Sequence, residues 1–325
     1  MSFKIVFADY YYPSNSQEIS ILEGLGDVEI IDLTKIQEGG IKDPEALIPY
    51  VIDADALIVQ FAQVTKDVID AMQNCKIIAR YAIGLDNIDI VAATSKGIVV
   101  SNVPDYCIEE VSDTAMAHIM NCLRAVAYAN LLIHEDRWVY EKIKPLKRVS
   151  EHTVGLIAFG HIARRTADKL RPFGVKVLAF DPYYTDDGSY DWVEFVTMDE
   201  LLANSDLISV HAPLNDATRH TLNDAAFAAM KDSVYIVNTS RGGLIDEQAL
   251  VRAIESGKVR MASLDVLDML DSEYNRSALL KYPEQVTITP HLSWYSETSI
   301  SELQQKVARN VYGMLKDGKP LYQVN

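Results

Sequence analysis

The chain has 325 residues, enough for two domains, and at 49% hydrophobic and 23% charged it can build full cores. No run of about 18 apolar residues occurs, so no membrane span is expected. A formal net charge of −16 argues against nucleic acid or an anionic membrane as a partner, though not against an anionic small molecule met by a local arginine.

The first residues, MSFKIVFADYYYPSNS, enter a strand-like run directly, so no secretory signal is expected. Lys4–Ala8, Val28–Asp32, Ala56–Gln60, Ile77–Tyr81 and Ile98–Ser101 read as strands. Helical stretches such as Ser16–Leu25 and Lys66–Gln73 separate them. Strands alternating with helices predict a parallel sheet covered on both faces. A long helix is expected from Ile108 to Val126, with Glu109 and Glu110 suited to its positive end. Val154–Ala158, Val175–Phe180, Leu207–Val210, Tyr235–Asn238, Ala262–Val266 and Thr287–Thr289 form a second strand series. Helices near Met198–Ala203, Ala225–Met230 and Glu247–Ser256 lie between them. A last helix, Ser299–Lys316, precedes a tail that should pack back on the first domain. The expectation is α/β: two doubly wound parallel-sheet domains with a cleft between. Residues 1–100 and 292–325 form one domain, and residues 101–291 form the other.

The stretch from Val154 to Asp181 organises this arrangement. It reads as strand, tight turn, helix and strand, the first βαβ unit of a dinucleotide-binding fold. The turn brings backbone N–H groups to a pyrophosphate at the positive end of a helix. The fingerprint G-x-G-x-x-G stands here as Ala158-Phe159-Gly160-His161-Ile162-Ala163. The middle glycine is present and alanine in third place is accepted. Alanine in first place is unusual, because that glycine serves the turn. Asp181 sits where an acid would bind the adenosine ribose hydroxyls.

Polar residues follow successive strands, where doubly wound sheets place ligands. They are Arg80, before Ala82-Ile83-Gly84; His211; Thr239-Ser240-Arg241-Gly242-Gly243; Asp265; and Pro290-His291. Such a set is hard to explain by packing. It suits reduction of a 2-keto acid. Arg241 offers a planar fork for carboxylate and carbonyl, and His291 offers a proton near neutrality. No side chain supplies a hydride, so a cofactor must. His118, His134, His152 and His220 read as satisfied core histidines. No H-x-x-H or C-x-x-C occurs, and Cys75, Cys107 and Cys122 read as apolar filler in a reducing cytoplasm, so no metal is expected. The absence of G-x-S-x-G removes a hydrolase.

The chain resembles the D-isomer-specific 2-hydroxyacid dehydrogenases across essentially its whole length. The matching blocks are Gly84-Leu-Asp-Asn-Ile-Asp89, Asn102-Val-Pro, Glu109-Glu-Val-Ser-Asp113, Asp181-Pro-Tyr, the segment Asn238–Glu247, Leu264-Asp-Val266 and Thr289-Pro-His291. His291-Leu-Ser-Trp294-Tyr-Ser-Glu297 looks like the branch containing the C-terminal-binding protein corepressors. The resemblance implies that Arg241 binds substrate and His291 is the acid/base, while Arg80 and the backbone near Gly84 hold the carboxylate. It implies NAD contacts from Phe159, Gly160, His161, Ile162, Asp181, His211, Ala212, Pro213, Thr239, Ser240 and Asp265. Asp181 without a neighbouring arginine favours NAD over NADP. The family implies a homodimer joined through the NAD domain.

One departure concerns the family's glutamate beside the histidine. Spacing from Asp265 and from His291 disagrees by one residue here. Asp271 is the leading substitute and Asp268 the second. Trp294 is expected either to line the substrate pocket or to pack at a domain interface. The expectation is a cytoplasmic NAD-dependent enzyme acting on a small 2-keto acid. Two alternatives stand beside it. One is a phosphoglycerate dehydrogenase, ranked lower for want of an extra cationic cluster or appended regulatory domain. The other is an NAD(H)-sensing, corepressor-like binding protein.

Overall fold

The computed structural model describes residues 2–269 and 271–325, apart from the side chains at positions 271 and 272. It resolves into two compact units, Met1–Cys107 with Ser296–Asn325, and Ile108–Tyr295. Both boundaries fall later than 100 and 291, for local reasons. Val103 N donates to Ala82 O at 3.0 Å and Asn102 Nδ2 to Ile83 O at 2.7 Å, which ties the 102–107 loop to the first unit. Leu292 N and Ser293 N donate to the Asp265 carboxylate at 3.1 and 2.9 Å, which ties that turn to the second.

The first unit contains β1 (Phe3–Phe7), α1 (Ser16–Leu22), β2 (Val28–Asp32), α2 (Pro44–Val51), β3 (Ala56–Val59), α3 (Lys66–Ala71), β4 (Ile77–Arg80), α4 (Ile90–Ser95) and β5 (Val99–Ser101). Its five strands are parallel in the order β2-β1-β3-β4-β5. Ala56–Val59 is buried throughout, as a strand covered on both faces should be. Asp43 and Asp89 cap α2 and α4 by accepting from Ala46 N and Ala92 N. The C-terminal helix, Glu297–Asp317, belongs to this unit and ends at Gly318 in the left-handed region, φ 73°. The tail after it joins the β5 edge, with Val324 N on Val100 O and Val100 N on the Asn325 side chain.

The second unit contains α5 (Ile108–Arg124), α6 (Val126–His134), β6 (Thr153–Ile157), α7 (His161–Leu170), β7 (Lys176–Phe180), β8 (Glu194–Phe195), α8 (Met198–Asn204), β9 (Leu207–Val210), α9 (Asp224–Ala229), β10 (Val234–Asn238), α10 (Glu247–Glu255), β11 (Val259–Leu264) and β12 (Val286–Ile288). The seven strands are parallel in the order β12-β11-β10-β9-β6-β7-β8. Strand order reverses between β6 and β9, the crevice in which such sheets bind ligands. Gly155 brings α8 close to β6, since a Cβ there would collide with Ser205 and Leu201.

The expected helix from 108 to 126 is two helices. Ala125 breaks it in the left-handed region, φ 52°, and Asn121 Oδ1 accepts Ala127 N at 2.8 Å to start the next. Among the described residues no single helix is long and apolar enough to cross a membrane. α5 and α6 pass that test only together, and they meet at 64°.

Candidate active site

The β6–α7 turn has the geometry its sequence demands, at a cost. Ala158, in the place of the first fingerprint glycine, has φ 69°. That conformation costs a residue with a Cβ about 1–2 kcal/mol. Gly160 caps α7 with extended backbone, and the space where a side chain would stand is open. His161 and Ile162 begin the helix. The Asp181 carboxylate accepts Phe159 N and Tyr183 N, each at 2.8 Å, so it is oriented by backbone with a further lone pair on each oxygen. Phe159 differs from expectation. Its ring is buried edge-on against Tyr184, Tyr190 and Phe195, and its carbonyl accepts Arg164 Nε at 3.0 Å. Its side chain builds the turn.

At the ends of β9 and β10, two buried polar atoms lack any hydrogen-bond partner among the described residues: His211 Nδ1 and Thr239 Oγ1. Burial lowers the His211 pKa to about 4, so its ring is neutral near pH 7. Its other nitrogen meets Ser209 Oγ at 2.9 Å. Ala212 and Pro213 continue the loop. Open space at Gly160 and orphaned groups at His211 and Thr239 fit a dinucleotide. Ser240 instead spends its hydroxyl on Val210 O at 2.9 Å, which joins the two strand ends. Arg241 follows, with Nη1 on Ser240 O and its carbonyl accepting Asn238 Nδ2, each at 2.9 Å. Gly242 is required here, because a Cβ would strike the backbone of Leu267.

Asp265, 1% exposed after β11, has a structural task beside the expected cofactor contact. Oδ1 accepts Thr289 Oγ1 at 2.5 Å and Leu292 N at 3.1 Å, while Oδ2 accepts Ser293 N at 2.9 Å and Ser293 Oγ at 2.5 Å. Those donors saturate a carboxylate. They also build the turn that carries His291, whose φ is 51° and whose N–H reaches Asp265 O at 3.0 Å. Trp294 braces the same turn by donating Nε1 to His291 O at 2.9 Å. Asp268 is engaged elsewhere, by His220 Nε2 at 2.9 Å and Arg219 Nη1 at 3.3 Å. The Asp271 side chain lies outside the described residues. His118, set aside as a packed histidine, contacts Thr289 and Ser263. No spacing signal singles it out, because it lies 171 residues along the chain from the Thr289 it touches.

In the first unit, Arg80 ends β4. Its Nε donates to Gln60 O at 3.2 Å, and its Nη1 lies 3.7 Å from Asp86 Oδ2. The carbonyls of Ala82 and Ile83 are held by Val103 N and Asn102 Nδ2, which orients the backbone leading to Gly84. Asp9, fully buried, accepts Gln60 N, Phe61 N and Ala62 N at 2.9, 2.7 and 3.1 Å. It fixes the loop against which Arg80 rests.

Comparison with known proteins agrees with this geometry. A family model described as D-isomer specific 2-hydroxyacid dehydrogenase, NAD binding domain, matches residues 116–293. A hydroxypyruvate reductase of Thermotoga maritima is 40% identical over 266 residues, 82% of this chain and 85% of that one. A D-3-phosphoglycerate dehydrogenase of Methanocaldococcus jannaschii is 33% identical over 317 residues, 96% of this chain but 57% of that one. The structure of a glyoxylate reductase from Paecilomyes thermophila superposes with a TM-score of 0.88 at 28% identity, over 99% of this chain and 98% of that one. A strand-end set built for a dinucleotide and a proton donor, in a chain so matched, belongs to the D-isomer-specific 2-hydroxyacid dehydrogenase family, the NAD-dependent oxidoreductases acting on the CH–OH group of 2-hydroxy acids.

Proposed function

We propose that the substrate is a small, unphosphorylated 2-keto acid of the hydroxypyruvate or glyoxylate kind. The names of two similar proteins support this. Arg241 orients the carbonyl, Arg80 and the backbone at Gly84 hold the carboxylate, and His291 delivers the proton to the carbonyl oxygen. Bound NADH supplies the hydride. Gly160, His161, Ile162, Asp181, the His211–Pro213 loop and Thr239 hold that cofactor. The observation that carries the assignment is the turn bearing His291, which four donors on one buried carboxylate keep in a left-handed conformation. A merely structural histidine needs no such support.

Loss of NADH absorbance is measured against hydroxypyruvate, glyoxylate, pyruvate, phosphohydroxypyruvate and longer 2-keto acids. Arg241→Ala and His291→Ala should each lower kcat/KM by at least about 100-fold, the usual worth of such groups. Turnover retained in both variants would refute the assignment. NADH binding with no turnover of any acid would favour the sensing protein.

We infer also a homodimer formed through the second unit. Trp138 is 89% exposed there, with Val126, Ile133, Val139 and Tyr140 also exposed nearby. Light scattering on wild type and on Trp138→Glu tests this, with monomer expected from the variant. Free thiols at Cys75, Cys107 and Cys122 support a reducing, cytoplasmic setting.

A further inference from the structure

His118 is 4% exposed on α5, inside the second unit. Its Nδ1 lies 2.5 Å from Ser263 Oγ and its Nε2 lies 3.1 Å from Thr289 Oγ1. The direction of every proton in this chain can be worked out. The Asp265 carboxylate accepts at both oxygens, because Leu292 N and Ser293 N, one on each, can only donate. Thr289 must therefore donate its hydroxyl proton to Oδ1. Its oxygen is then left to accept, so His118 Nε2 must carry hydrogen. Burial lowers the His118 pKa and favours the neutral ring. Nδ1 is then a lone pair that accepts from Ser263, whose oxygen in turn receives Asn121 Nδ2 at 3.4 Å. The result is one ordered relay, Asn121 to Ser263 to His118 to Thr289 to Asp265.

We propose that His118 is a positioning residue for the reaction. Through Thr289 it sets the Asp265 carboxylate, and so fixes the turn on which His291 stands. The inference rests on His291 being the acid/base. With His118 gone, the Thr289 oxygen loses the N–H that holds it, and its hydroxyl is free to turn away from Oδ1, to which Leu292 N donates by the longer bond. Misplacing a proton donor by about 1 Å costs up to about 100-fold in rate.

The test compares His118→Leu, His118→Gln, Thr289→Val and the double variant His118→Leu/Thr289→Val. His118→Leu and Thr289→Val should each lower kcat about tenfold or more, with KM for NADH within about twofold of wild type. His118→Gln keeps an N–H toward Thr289 and should recover most of that loss. The double variant should be no worse than the poorer single, because both residues act through one carboxylate. Ile119→Val, a packing change on the same helix, should lower thermal stability and leave kcat unchanged.

A kcat within twofold of wild type in His118→Leu, or strictly multiplicative losses in the double variant, would overturn the proposal. So would an equal kcat loss in Ile119→Val, which would make the effect one of packing. If His118→Leu does not fold, Thr289→Val and His118→Gln still decide: the first must lose turnover and the second must keep it. An active His291→Ala variant would sink the assignment of His291 itself. A dead His291→Ala beside a fully active His118→Leu would sink only the relay.

Discussion

Each unit holds one buried aspartate just past the end of a strand, and each uses it to fix a loop that follows a neighbouring strand. Asp9, after β1, takes three backbone N–H groups from residues 60–62. Asp265, after β11, takes two backbone N–H groups and two hydroxyls from residues 289–293. The backbone-only clamp supports Arg80, for which we propose a binding role. The clamp with hydroxyls supports His291, for which we propose a proton-transfer role, and it extends through Thr289 to His118. A binding loop needs a fixed shape, whereas a proton donor also needs a fixed direction, and side-chain hydroxyls with a tautomer-locked histidine supply it.

Asparagine substitutions separate the two clamps. In each aspartate both oxygens face an obligate backbone donor, so an amide N–H2 opposes a donor whichever way it is turned. Asp265→Asn should cost about 3 kcal/mol of stability and lower kcat about 100-fold, with little change in KM for the keto acid. Asp9→Asn should cost about 2 kcal/mol and act the other way, raising KM for the keto acid about tenfold with kcat nearly kept. Urea titration and steady-state kinetics on both variants read all four effects. A KM effect in Asp265→Asn with a kcat effect in Asp9→Asn would break the comparison.

Among their buried acids and histidines, those whose pKa is shifted are of opposite kinds in the two units. The first buries Asp9 and Glu18, both raised chiefly by desolvation. Groups raised on folding contribute stability below their unfolded pKa and lose it as pH rises through the folded one. The second unit buries His118 and His211, both lowered by desolvation, His211 to about 4. Lowered histidines contribute stability above about 6.5, and that contribution is lost as pH falls toward their folded values. Between about pH 6.5 and pH 4 the second unit should therefore weaken while the first does not. Hydrogen exchange followed by mass spectrometry should show β9 and α5 opening before β1 and β3 as pH falls. Equal loss of protection in both units would remove this contrast.

Much of this was legible in the sequence. Runs such as Ala56-Leu-Ile-Val59 and Leu207-Ile-Ser-Val210 have the length and apolar content of strands buried on both faces, and their alternation with helices pointed to both sheets. Residues past strand ends follow from the same rule, so Arg80, His211, Arg241 and His291 could be named in advance. The parts that could not be read depend on contacts across the fold. Nothing near His118 in sequence shows that it touches Thr289, and nothing near Asp265 shows that its carboxylate is spent on the next strand's turn. The break at Ala125 escaped because its cap, Asn121, sits inside the first helix. The burial of the Phe159 ring is equally hidden, because turn and core are adjacent positions there.

Ala158 is the place where local sequence already announced strain. A first-position glycine serves the turn, and the structure shows why: φ is 69°. Replacing Ala158 by glycine removes about 1–2 kcal/mol of left-handed strain. Against this stand a more flexible unfolded chain, about 0.4–1 kcal/mol, and a small loss of packing, because the methyl lies against the core beneath β9 and β10. The balance should be a gain of roughly 0.5 kcal/mol, small because the opposing terms nearly cancel. It should appear as a higher urea midpoint with an unchanged slope. NADH affinity should hold or tighten, since Gly160 and the start of α7 keep their places. An unchanged or lower midpoint would mean that packing of the Ala158 methyl outweighs the strain, and that the turn, like the two clamps, is held by its surroundings rather than by its own conformational preference.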